Sequence, residues 1–254
     1  ALVVHGFTGD ASSMREIAEM FGAAGFHVEL PRLAGHGTNV EEMMDTRWAD
    51  WSRDAENALS ELRKRCSKVV VVGLSMGGAI SQIIALKHPN RVRSLTLVAT
   101  ACRNHQWRAD LLQSWADMAS NEGMGSVGKE AARWMIGPRS FRRILPALGS
   151  IGPLQLFNPA NAFVSQVQAI LTTDDRSLNA DLGNIECPTM VVVGNQDILT
   201  PRGDAEEIAS LIPTAELVII SGGAHGLHIE HASTFNRILL EFLGRAEKVF
   251  VPLG

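Results

Sequence analysis

Four consecutive valines, Val69 to Val72, run straight into Gly73-Leu74-Ser75-Met76-Gly77-Gly78. An unbroken β-branched run is too apolar for a surface position and reads as the central strand of a sheet covered on both faces. The glycines then break it, and Ala79 to His88 reads as a helix that Pro89 stops. Strand, G-x-S-x-G turn and helix are the context of a nucleophile elbow, which holds its serine on a strained backbone with the hydroxyl above the sheet. Glycines are needed two residues to either side because side chains there would strike the neighbouring strand and helix. The competing use of such a turn is a phosphate loop, which wants lysine after its glycines, and Ala79 and Ile80 stand there instead. Ser75 is therefore the candidate nucleophile.

The rest of the chain builds an α/β fold around that strand. Ala1 to His5 is an apolar strand followed by the turn His5-Gly6-Phe7-Thr8-Gly9. Met14, Ile17, Ala18 and Phe21 lie at helical spacing, with Ser12 or Ser13 as N-cap and Gly25 as stop. Phe26 to Leu30 reads as a short strand, and Trp48, Trp51, Ala55, Leu59 and Leu62 as the apolar face of the next helix. Strands follow at Val92 to Ala99, Thr189 to Val193 and Glu216 to Ile220, with helices at Asp204 to Leu211 and Ala232 to Leu243. Strands alternating with helices imply right-handed crossovers and a mostly parallel central sheet flanked by helices.

Between Ala101 and about Asn184 the strand pattern disappears. Helical faces take over, at Trp107, Leu111, Trp115 and Met118, at Phe141, Ile144, Leu145 and Leu148, and at Phe163, Val167 and Ile170. We read residues 101–184 as a helical cap inserted into a core made of residues 1–100 and 185–254. Trp107, Trp115, Met118, Trp134 and Met135 are the candidate pocket walls, with cohesion of the cap itself as the alternative role. The cap arginines, among them Arg103 and Arg108, read as solvated charges.

Activating a serine takes a base, and the base needs a third group to hold its tautomer. Val191-Val192-Val193-Gly194-Asn195-Gln196-Asp197 places an acid just past one strand, and Ile219-Ile220-Ser221-Gly222-Gly223-Ala224-His225 a histidine just past the next. Asp197 and His225 are the candidate acid and base; His228 and His231 open the last helix and read as exposed or capping residues. The tetrahedral intermediate also needs two preorganised N–H donors, for which the backbone amides of Met76 and Phe7 are the candidates. His5 and His36 read as structural.

Composition removes other classes. The formal net charge of −4, with no basic stripe interleaved with aromatics, disfavours nucleic acid. No apolar run approaches a membrane span. Three scattered cysteines suit a reduced, cytoplasmic protein. The histidines show no metal-binding pair on a helix, so neither metal nor cofactor is expected.

With these residues placed, the chain resembles the α/β-hydrolase superfamily. Its first hundred residues are similar to bacterial monoacylglycerol lipases and small carboxylesterases at His5-Gly6-Phe7-Thr8-Gly9, Pro31-Arg32-Leu33-Ala34-Gly35-His36-Gly37, Asp50-Trp51 and Gly73-Leu74-Ser75-Met76-Gly77-Gly78. The resemblance implies a serine hydrolase of short to medium acyl esters, acting on a small-molecule ester. It leaves open an enol-lactonase or a C–C bond hydrolase on the same scaffold, and a non-catalytic ligand-binding receptor. Leu74 and Gly226 depart from the C–C bond hydrolases, which carry Asn before the nucleophile and Trp after the histidine. The family fold begins with two antiparallel strands that are not among these residues, so either the polypeptide is trimmed ahead of Ala1 or another segment covers that sheet edge. The strand-like Val249-Phe250-Val251 is the candidate to cover the edge, within one chain or by exchange in a homodimer.

Overall fold

The computed structural model describes residues 1–7, 9, 11–36, 40–140, 142, 159–172 and 180–249. Its centre is a five-stranded parallel sheet, β1 (Leu2–Val4), β2 (Val69–Leu74), β3 (Val92–Val98), β4 (Thr189–Gly194) and β5 (Ala215–Ile220), in that spatial order. The register keeps the strand ends level: Val4 faces Gly73, Leu74 faces Val98, Val98 faces Val192, and Gly194 faces Ile220. Every loop that leaves a strand's carboxyl end therefore emerges along one edge of the sheet.

Alternation along the strands builds two cores. Leu2, Val4, Val69, Val71, Leu95 and Val191 pack on one side with α3 (Trp48–Arg63), α4 (Met76–Lys87) and α8 (Arg202–Leu211). Val3, Val70, Val72, Val98 and Val192 pack on the other with α1 (Arg15–Ala23) and α10 (Ala232–Val249), through Ile17, Phe21, Phe235, Leu239 and Phe242. Both faces of β2 are buried, as its run of four valines requires.

The segment expected as a strand at Phe26 to Leu30 is reduced to a single bridge, Glu29 beside Leu2. Its backbone nonetheless bonds to β1 in both directions, Val3 N–H to Glu29 O and Glu29 N–H to Ala1 O, each at 2.9 Å. Thus β1 is not the bare edge that the sequence suggested. Val249 ends α10 rather than starting a strand, and Phe250 and Val251 lie outside the described residues.

Between β3 and β4 run α5 (Gln106–Glu122), α6 (Met124–Met135) and α7 (Ala160–Leu171). They pack on one another through Leu112, Trp115, Val127, Phe163 and Val167, and reach the sheet side through Phe7 and Leu199. The helical face expected at Phe141, Ile144, Leu145 and Leu148 lies outside the described residues. Two short helices, α2 (Val40–Met44) and α9 (Leu227–Glu230), precede α3 and α10. No described helix is long and apolar enough to cross a membrane.

Candidate active site

The turn after β2 is as tight as its glycines imply. Ser75 has φ 53° and ψ −121°, a left-handed conformation that costs a non-glycine residue about 1 kcal/mol or more. Its N–H donates to Val98 O at 2.9 Å, and its carbonyl accepts from the Thr100 hydroxyl at 2.6 Å. A Cβ on Gly73 would sit 2.3 Å from Gly77 O, and one on Gly77 2.3 Å from Val4 O. The second clash shows how closely the start of α4 rides on the end of β1, the strand that leads into Phe7.

Phe7, Ser75 and Met76 line one cavity of about 830 Å³, together with Leu112, Ile170 and Thr200. Met76 is the first residue of α4, where a backbone N–H has no partner within the helix and the dipole favours a negative charge. The turn that carries Phe7 is held from behind by His5. That buried imidazole lies 3.1 Å from Gly6 O through Nδ1, and its Nε2 accepts the Leu33 N–H at 3.3 Å. His36 is also buried and stacks edge-on against His5 and Trp51. Both histidines serve architecture.

The structure brings Asp197 and His225 together. His225 Nδ1–H donates to Asp197 Oδ2 at 3.0 Å, and both residues are almost wholly buried. The other carboxylate oxygen accepts the backbone N–H groups of Leu199 and Thr200, each at 2.9 Å. Burial pushes the Asp197 carboxyl up. The adjoining His225 imidazole and the hydrogen bonds from His225 and Thr200 outweigh it and hold the group below the usual carboxylate range.

Sequence reading missed Thr200. Its hydroxyl donates to Asp197 Oδ2 at 2.8 Å and stands 3.1 Å from His225 Nδ1, so it closes a triangle with the acid and the imidazole. The signal was present in the chain: a threonine three residues after an acid at a strand end is placed to bond back to it. Thr200 also faces the cavity that Ser75 faces, which links the two halves of the site.

The histidine loop is pinned from both sides. Ala224 N–H donates to Glu230 Oε2 at 3.0 Å, while Glu230 Oε1 accepts Gly137 N–H at 2.9 Å. Gly226 N–H donates to the carbonyl of Met135 at 2.9 Å. The end of α6 is thus bonded to the residues flanking His225.

The five candidate pocket walls are placed elsewhere. Trp107 stacks on Trp134 at 6.4 Å, and Trp115 meets the same ring edge-on at 6.1 Å. Met118 and Met135 join that cluster, and none of the five lines the cavity. The physical reason is that α5 turns Arg108 and Leu112 towards the cavity, whereas Trp107, Trp115 and Met118 pack with Trp134 and Met135 of α6 and hold the inserted helices together. Arg108, expected as a solvated charge, is 4% exposed and contacts the acid loop.

Among the described residues, His105, Asp204 and Glu207 are the one group whose ligand atoms could meet on a metal ion. Arg108 and Arg103 already pair with the two carboxylates, which leaves a cation little charge to bind.

His228 overturns another expectation, since it is buried at 8% exposure. Burial, with His225 nearby, lowers its pKa from 6.5 to about 4. A histidine whose folded pKa is depressed stabilises fully above its unfolded value and loses that contribution as the pH falls towards the folded one. Urea unfolding should therefore show stability dropping by about 3 kcal/mol between pH 6.5 and pH 4. His228→Gln should flatten that slope; an unchanged slope would locate the proton uptake at another group.

Comparison with known proteins agrees with the fold. A profile of the alpha/beta hydrolase family matches residues 1–238. The chain is 30% identical over 225 residues to a thermostable monoacylglycerol lipase of Bacillus sp. strain H-257, covering 86% of this chain and 78% of that one. It is 29% identical over 249 residues to the pimeloyl-[acyl-carrier protein] methyl ester esterase of Chromobacterium violaceum, covering 95% and 93%. Among solved structures, a thermophilic esterase from Thermogutta terrifontis superposes with a TM-score of 0.75 at 24% identity, covering 96% of this chain and 89% of that one. The enol-lactonase of Burkholderia xenovorans LB400 gives 0.75 at 22% identity, covering 96% and 91%. At these identities the two structures speak for the fold alone.

Proposed function

The chain belongs to the alpha/beta hydrolase family, and on that premise we propose that it is a serine hydrolase of carboxylic esters with short to medium acyl chains. Ser75 attacks the ester carbonyl while His225 takes its proton. Asp197 holds the imidazole with Nδ1 protonated, which leaves Nε2 as the base, and stabilises the imidazolium that forms. The backbone N–H groups of Phe7 and Met76 receive the oxyanion. His225 returns its proton to the departing alcohol, and water then hydrolyses the acyl-enzyme by the same route. Residues 1–100 and 185–254 form the catalytic core in this reading, and residues 101–184 a cap over it.

The observation that carries the reading is the buried Asp197–His225 pair, closed by Thr200, whose side borders the cavity onto which the strained Ser75 opens. A monoacylglycerol lipase and a methyl ester esterase among its relatives support an ester as the scissile bond.

A fluorophosphonate probe should label the protein at Ser75, located by peptide mass spectrometry, and an ester panel graded by acyl length should show turnover at the short to medium end. Absence of label at Ser75 would overturn the reading. Turnover confined to enol-lactones or dienone acids would move the activity to a different bond.

A further inference from the structure

Arg108 opens the buried stripe of α5, and its guanidinium serves three acceptors on three separate stretches of chain. Nε–H donates to Leu199 O at 2.9 Å, Nη1–H to Arg103 O at 3.0 Å, and Nη2–H to the Asp204 carboxylate in α8. The bond to Leu199 matters most. The peptide unit whose oxygen Arg108 holds has the Thr200 N–H as its other end, and that N–H donates to Asp197 Oδ1 at 2.9 Å. One peptide plane is thus gripped by a cation on its oxygen side while it grips the acid on its nitrogen side. Opposite, Asp197 Oδ2 receives the Thr200 hydroxyl and His225 Nδ1–H.

We propose that Arg108 is a positioning residue for Asp197, acting from the inserted helix α5 through the Leu199–Thr200 peptide. This rests on the Ser75–Asp197–His225 reading above. Three physical points carry it. A planar fork with five N–H groups can satisfy three acceptors in fixed directions, which a lysine ammonium on a flexible stem does not reproduce. A cation on a carbonyl polarises its peptide and makes the N–H at the far end a stronger donor. Stability alone does not call for the pair, because well-packed apolar residues commonly replace a buried ion pair at no cost. Burial indeed pushes the Asp204 carboxyl up despite Arg108. The geometry therefore makes α5 part of the support of the acid, so that a shift of the helix is felt at the carboxylate.

Arg108→Lys keeps the charge and its pairing with Asp204 but loses the fork. It should lower kcat on p-nitrophenyl butyrate about tenfold, the rate equivalent of one weakened charged hydrogen bond, with KM unchanged. The low-field proton resonance of His225 Nδ1–H should move in the same variant, a change that general loosening of the fold does not produce. Arg108→Met combined with Asp204→Leu removes the ion pair without stranding a charge, and it provides the reading if the lysine variant fails to fold. The same loss of kcat and the same displaced resonance are expected there. Unchanged kcat and resonance in the folded variants would overturn the proposal. So would a raised KM at unchanged kcat, which would make Arg108 a substrate-binding group. Failure of the wild type to label with the fluorophosphonate would instead sink the underlying triad, and is separable because it involves no change at Arg108.

Discussion

Ser75→Ala should lower kcat/KM on p-nitrophenyl butyrate by about 10⁶-fold, the scale on which removing a triad nucleophile acts. The fold should survive. The substitution deletes one oxygen, and the backbone bonds that shape the turn, Ser75 N–H to Val98 O and Thr100 Oγ1–H to Ser75 O, do not depend on it. Alanine also tolerates a positive φ elsewhere in the same molecule, since Ala99 stands at φ 45°. A companion Ser75→Gly should be equally inactive yet more stable than the alanine variant by about 1 kcal/mol, because glycine adopts the left-handed backbone without strain. Circular dichroism and urea titration check the fold, and initial rates check the chemistry. Turnover retained in both variants would place the nucleophile elsewhere; a glycine variant no more stable would mean that the elbow stores no strain.

The elbow could be read from the chain because everything that defines it is local. Four valines, a glycine on each side of the serine and a helix that follows are all within twenty residues. Asp197 and His225 could be read for a related reason: each follows directly on a strand, and a parallel sheet with level ends gathers such positions on one edge. What escaped depends on which way a helix is turned. On α5 the residues Trp107, Leu111, Trp115 and Met118 make as good an apolar face as any, yet the buried stripe begins one residue later, at Arg108. A cation at the head of the stripe concealed it, since arginine is buried only where acceptors from elsewhere in the chain await it. Those acceptors, Leu199 O and Asp204, lie more than ninety residues away in sequence. His228 was hidden in the same way. Its place at the start of a helix suggested exposure, and the neighbouring Ser12, Ser13 and Ile17 that enclose it come from the other end of the chain.

Asp197→Asn should cost about 10⁴ in kcat, and the hydrogen bonds around the carboxylate say why. Oδ1 accepts two backbone N–H groups, from Leu199 and Thr200, so an asparagine must leave its carbonyl oxygen there. Turned the other way, its NH₂ would face two donors. The amide nitrogen is thereby forced onto the side that faces Thr200 Oγ1 and His225 Nδ1. An amide N–H donates, so His225 must accept through Nδ1, and the imidazole proton moves to Nε2. In that tautomer Nε2 has no lone pair to receive the Ser75 proton, and the base is lost although no atom need move far. The Thr200 hydroxyl, which donates in the wild type, becomes the acceptor of the second amide hydrogen. The expected signature is a folded protein whose KM is preserved, whose low-field Nδ1–H resonance is absent, and whose fluorophosphonate labelling at Ser75 is slowed along with kcat. Asp197→Ala should be slow for a different reason, since it takes the carboxylate away from His225 Nδ1–H and leaves the Leu199 and Thr200 N–H groups buried without their acceptor, and it should lose stability where the asparagine variant keeps it. Rates in Asp197→Asn close to the wild type would mean that a group other than the carboxylate orients the imidazole. Thr200 would then be the place to look, because its hydroxyl oxygen stands 3.1 Å from Nδ1 and can accept its proton.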